Sequence, residues 1–134
     1  MKSITTAWVL RPRSDLDAFI EKNEGRKIAE IIDTDGEADY RKIESRNLKE
    51  LLSSSDVKIL SLGGGAWTTQ QNRKMLKEDG FTSVWLEASF DHCWRNITFS
   101  RKERPLARDK QKTLKLFDDR QKLYCLAEWH FVIR

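Results

Sequence analysis

The stretch "VKILSLGGGAW", residues 57 to 67, constrains this chain more than any other. An apolar run is cut off by Gly63, Gly64 and Gly65, so it reads as a buried strand that stops abruptly. Glycines at the carboxyl end of such a strand either make a tight turn or let something come very close to the main chain. The flanks favour an α/β arrangement. "TTQQNRKMLKEDG" has helical spacing with Gly80 as a stop, and "TSVWLEA" reads as a second strand. "SFDHCWRNITFS" and "KQKTLKLFDDRQKLYCLA" read as helices and "WHFVI" as a last strand. Upstream, "DLDAFIEKNE" and "RKIAEIID" are helical on either side of Gly25, and Gly36 opens a longer helix, "EADYRKIESRNLKELLSS". Strands alternating with helices predict a three-layer α/β/α domain whose parallel sheet is covered on both faces.

The 134 residues fit a single domain, 1–134, able to bury a core without staples. No stretch approaches the roughly 18 apolar residues of a membrane span. "MKSITTAWVLRPRS" lacks the small-residue cleavage site of a secretory signal. Cys93 and Cys125 give no disulfide framework, so a cytoplasmic protein with reduced thiols is expected. The net charge of +4 is modest, with 25 basic residues offset by 21 acidic ones. The bases concentrate in "RNITFSRKERPLARDKQK", from Arg95 to Lys112. Such a segment suits a small polyanion as well as nucleic acid, and no basic-aromatic recognition module accompanies it. Neither a nucleic-acid partner nor a membrane is expected.

Some constellations dissolve on inspection. "DTDGEADYRKIE" offers acids at several calcium-loop positions, but Ala38 stands where the loop's sharp turn needs glycine. His92 with Cys93, and Cys125 with His130, lack zinc spacing. Trp85 and Trp94 read as core side chains, whereas Trp67, directly behind the glycines, is a candidate pocket wall; Trp8 and Trp129 have no assignment. The arginines say more. Arg41 lies four residues after Glu37 on a helix, Arg104 precedes Pro105, and Arg120 sits in the last long helix. Their planar forks are well suited to bidentate recognition of carboxylate and phosphate.

Taken in order, these strings resemble the shikimate kinase family. "DLDAFIEKNEGRKIAEIIDTDGEADYRKIE" is similar to that family's Asp-x-Asp, Ile-Glu, Gly-x-x-Ile-x-Glu-Ile and Gly-Glu-x-x-Phe-Arg pattern. "LSLGGGAW", "RPLA" and "DDRQKLY" resemble its triple-glycine strand end, lid arginine and last-helix arginine. The resemblance runs from about Asp15 to the end of the chain. It implies a P-loop kinase fold of the nucleoside monophosphate kinase kind, and transfer of the terminal phosphoryl of ATP to the 3-hydroxyl of shikimate, a chorismate-pathway step of aromatic amino-acid biosynthesis. It further implies that Asp17 meets the ring hydroxyls and orients or deprotonates the attacking one, and that Arg41 and Arg120 grip the substrate carboxylate. Gly63, Gly64 and Gly65 would let backbone amides reach the hydroxyls. Arg104, in a lid over about residues 99–112, would stabilise phosphoryl charge, with Arg95 also at the nucleotide and Asp15 near Mg2+.

One part of the pattern has no counterpart. Members of the family open with a strand, a G-x-x-x-x-G-K-[ST] loop and a helix, and none of the six glycines here gives that spacing. The first strand, P-loop and first helix are therefore expected to be missing or remodelled, with "KSITTAWVL" able to replace a strand but not the loop. Without the phosphate cradle, ordinary kinase turnover should be lost. Unpaired strand edges and apolar area would favour self-association. Shikimate binding without turnover is the first expectation. A shortened form of a working kinase and a regulatory module on the same fold are the alternatives.

Overall fold

The computed structural model describes residues 13–54, 57–99 and 109–133. They fall into two compact units, divided between Thr82 and Ser83.

The first unit begins with β1 (Arg13–Asp15), which leads directly into α1 (Leu16–Glu24). Asp15 ends the strand and caps the helix, its Oδ1 accepting the Ala18 N–H at 3.2 Å. Leu16 and Ile20, one turn apart, are fully buried. Gly25 stops the helix in the left-handed region at φ 69°, its N–H donating to the Glu21 carbonyl. The next helix, α2 (Ile28–Asp35), buries Ile31 and ends at Gly36, whose φ of 89° again requires glycine. The Gly36 carbonyl then accepts from the Tyr40 N–H, opening α3 (Glu37–Ser54). This long helix turns Tyr40, Glu44, Asn47, Leu48 and Leu51 inward, a stripe of helical period that includes one carboxylate.

Two buried amides tie this unit together. Asn47 donates to the Glu24 Oε1 at 2.9 Å and to the Ile43 carbonyl at 2.8 Å, and accepts from Asn23, joining α1 to α3. Those contacts, first the Asn47 bond and then Arg46, hold the Glu24 carboxyl below its ordinary pKa. Asn72 accepts from the Ser45 hydroxyl at 2.7 Å and donates to the Ala66 carbonyl at 3.0 Å. It belongs to α4 (Gln70–Glu78), which follows β2 (Ile59–Ser61) and a short 3-10 turn, Ala66–Thr68. Strand β2 runs parallel to β1 with Asp15 opposite Ser61, so Asp17 and Gly63 both lie just past the carboxyl ends of the paired strands. Ligands of open α/β sheets bind at that end.

In the second unit, β3 (Val84–Glu87) pairs in parallel with β4 (Trp129–Val132), with Leu86 opposite Phe131. Between them lie α5 (Phe90–Phe99) and α6 (Lys110–Tyr124), the latter capped by Asp109. Trp85 packs on Tyr124 and edge-on to His130, and Phe90 contacts Trp94 and Phe117. Both pairings are parallel, as the alternation of strands and helices requires. All four residues of β4 are exposed. A three-residue strand at Arg13 was not foreseen, because its residues are polar and too few to show a period. "KSITTAWVL", Trp8, Arg104 and all but the ends of the lid segment lie outside the described residues.

Candidate functional site

At two of the three glycines that follow β2, another side chain occupies the space a Cβ would need. At Gly63 that atom would lie 2.8 Å from Oδ1 and 3.0 Å from Oδ2 of Asp17, inside any normal contact distance. At Gly65 it would collide with the Arg41 guanidinium. Neither glycine has a positive φ, and Gly65 is in the ordinary right-handed region, so packing and not backbone conformation dictates the residue type. The run is also a turn: the Ala66 N–H donates to the Gly63 carbonyl and the Thr68 N–H to that of Gly65. Asp17, Arg41, Gly63 and Gly65 thus form one cluster at the carboxyl end of the β1–β2 pair.

Arg41 is held from several directions. Its Nη1 donates to both oxygens of Glu44, at 2.9 and 3.0 Å, and its Nη2 to Glu37 at 3.4 Å. Its Cζ lies 5.2 Å from the centroid of the Tyr40 ring. Burial works against the Arg41 charge, but Glu44, Tyr40 and Glu37 outweigh it, and the guanidinium pKa stays above its ordinary value. Glu44 moves the other way. Burial is the largest influence on it and raises its carboxyl above the ordinary value of 4.5, against the pull of Arg41. The partners differ because the Glu44 side chain is 2% exposed and that of Arg41 20%. The Tyr40 phenol is pushed far upward by burial and by the Glu44 and Asp17 charges, so it remains a donor at all ordinary pH values. Arg41 also lines a groove of about 420 Å³ between α3 and the start of α4, with Ser45, Lys49, Thr69 and Gln71.

Arg95 is exposed on α5 and Arg120 half-buried on α6, both in the second unit. Asp15 uses its carboxylate as the cap of α1. Trp67 packs against the hydrophobic core, its indole beneath the Arg73 guanidinium. Among the described residues no cluster of three or more His, Cys, Asp or Glu side chains is placed to hold a metal ion. Sequence reasoning missed Glu44 and Tyr40. The available signal was an acid inside the apolar stripe of α3, three residues after Arg41.

Solved structures share this fold. The crystal structure of shikimate kinase from Aquifex aeolicus superposes with a TM-score of 0.74 at 30% identity, covering 91% of this chain and 71% of that one. Shikimate kinase from Acinetobacter baumannii in complex with shikimate gives a TM-score of 0.82 at 32% identity, covering 92% and 70%. The fold is of the P-loop kinase-like α/β class. The shikimate kinase family profile matches residues 8–134. Shikimate kinase of Streptococcus thermophilus is 40% identical over 113 residues, 82% of this chain and 69% of its own length. That of Cereibacter sphaeroides is 40% identical over 120 residues, 87% of this chain and 59% of its own length. The chain belongs to the shikimate kinase family.

Proposed function

We propose that this chain recognises shikimate through Asp17, Arg41 and the Gly63–Gly65 turn, and that this recognition is the substrate-binding part of ATP-dependent phosphorylation of the 3-hydroxyl. The observation that carries the reading is the seating of the Asp17 carboxylate and the Arg41 guanidinium against Gly63 and Gly65. One side chain accepts hydrogen bonds from hydroxyls and the other donates to a carboxylate, which is what a carboxylated triol needs. The bound shikimate of the Acinetobacter baumannii relative supports the same ligand. Arg120 of α6 is assigned a part in binding the substrate carboxylate on the family resemblance of "DDRQKLY" alone. Charge-assisted bonds of this kind contribute about 1.5–3 kcal/mol each. Asp17 orients the attacking hydroxyl and takes its proton.

ATP and Mg2+ belong to the family's reaction, with Arg104, Arg95 and Asp15 as this chain's candidates to meet them. The described residues do not fit either group. Asp15 is engaged at a helix cap, and the 134 residues contain no G-x-x-x-x-G-K-[ST] cradle. The reading for these 134 residues is shikimate recognition, in the cytoplasm, and turnover is what the ATP assay below decides. No helix among the described residues is long and apolar enough to cross a membrane.

Calorimetric titration with shikimate tests this, with ATP turnover measured on the same preparation. The wild type should bind, and Arg41→Ala and Arg120→Ala should each weaken binding by about tenfold or more. A folded protein that ignores shikimate would sink the reading and leave a non-enzymatic module on an inherited fold. Turnover would show that other residues hold ATP.

A further inference from the structure

We infer that Asn72 is a positioning residue for shikimate binding, fixing the glycine turn against α3 so that the Arg41 guanidinium stays aimed at the substrate carboxylate. The inference rests on the reading of Arg41 as the ligand of that carboxylate. Asn72 stands in the first turn of α4 and is 0% exposed. Its Nδ2 donates to the Ala66 carbonyl at 3.0 Å, and its Oδ1 accepts from the Ser45 hydroxyl at 2.7 Å. A carbonyl can only accept, so Ala66 decides which end of the amide faces the turn and which faces α3. Ala66 directly follows Gly65, and Ser45 lies one helical turn beyond Arg41 on α3. One side chain thus joins the two segments that meet where the Arg41 guanidinium lies against Gly65.

The neighbouring carbonyls show what sets this bridge apart. Gly65 accepts from the Thr68 hydroxyl at 2.6 Å, and Trp67 from the Arg73 guanidinium at 2.6 Å. Those bonds brace the turn from within its own stretch of chain, whereas Asn72 also reaches α3. Glu44 steadies Arg41 along the helix, but a bond within α3 does not set the distance from α3 to the turn. That distance is critical because the space at Gly65 is already filled. If α3 shifts towards the turn, the guanidinium presses on the main chain; if it shifts away, the fork separates from the glycines. The bridge resists both movements, since breaking either of its bonds leaves a buried polar atom without a partner.

The test is a double-mutant cycle on shikimate affinity in the 134-residue chain, comparing wild type, Asn72→Ala, Arg41→Ala and the double variant. Affinity is read by calorimetry, or by ligand-observed NMR where binding is weak, and each protein is checked by thermal melting. Asn72→Ala should weaken binding about tenfold. In the Arg41→Ala background the same substitution should cost about twofold or less, because the group it positions is gone. Ser45→Ala breaks only the α3 end of the bridge and should lose about 3–10-fold. Asn47→Ala is the structural control: it removes another fully buried amide, one that ties α3 to α1 and not to the turn. It should lower the melting temperature and keep shikimate affinity within about twofold of the wild type. Losses that simply add in the cycle overturn the inference. So does a folded Asn72→Ala or Ser45→Ala protein that binds like the wild type, or an Asn47→Ala protein that loses as much affinity as Asn72→Ala. If Asn72→Ala does not fold, Ser45→Ala takes its place in the cycle under the same criterion. A wild type that does not bind shikimate fails the Arg41 reading itself, an outcome visible before any variant is compared.

Discussion

Gly65 and Gly25 are both glycine for reasons that a single substitution tells apart. Gly25 needs its left-handed φ of 69° and has nothing within 4 Å of where a Cβ would point. Gly65 has an ordinary backbone and no room, because the Arg41 guanidinium lies there. Gly25→Ala should therefore lower stability by about 1–2 kcal/mol and leave shikimate affinity unchanged. In Gly65→Ala the far end of Arg41 yields before the backbone does, at the expense of its Glu44 contacts. That variant should lose about 1–3 kcal/mol of stability and at least tenfold in shikimate affinity. Thermal melts paired with calorimetry check both. Equal affinity losses in the two variants would mean that the glycines serve backbone geometry alone.

At the scale of elements, the junction of β1 and α1 carries the most information per residue. Asp15 finishes a strand and caps a helix, so Asp17 emerges in the first helical turn beside Gly63. Asp15→Ala should lose about 1 kcal/mol, while Asp15→Asn retains most of that stability. A drop in shikimate affinity in the alanine variant alone would place the role of Asp15 in aiming Asp17. How much of this was legible follows from physical rules. The bounds of α3 could be read because Gly36 opens it and its apolar positions recur with helical period. Arg41 and the glycines stood out as a motif. Glu44 did not, because a glutamate three residues from an arginine on a helix is ordinarily a solvated surface pair, and only burial makes it part of a site. The strand at Arg13 escaped because its pairing partner, Ile59, is distant along the chain.

For the molecule as a whole, exposed apolar surface is unevenly distributed. Every large hydrophobic residue that is exposed among the described ones lies in the second unit. In the register of β3 and β4, Leu86, Trp129 and Phe131 share one face of the pair, at 61%, 66% and 64% exposure. Parallel strands ordinarily have both faces covered. The chain is therefore expected to associate with a second copy through this face. Sedimentation should show concentration-dependent association, weakened about tenfold or more by the double substitution Leu86→Lys, Phe131→Lys. A monomer at every concentration would exclude that association. The parallel pairings bear finally on the order of folding. Ser83 and Glu128, 45 residues apart, are joined where β3 meets β4. The first unit is fully synthesised once Thr82 has been added, whereas β3 waits on the ribosome for a partner made some 45 residues later. Translation speed over that interval sets how long β3 waits for β4, and slower codons between residues 88 and 128 are expected to lower the yield of folded chain.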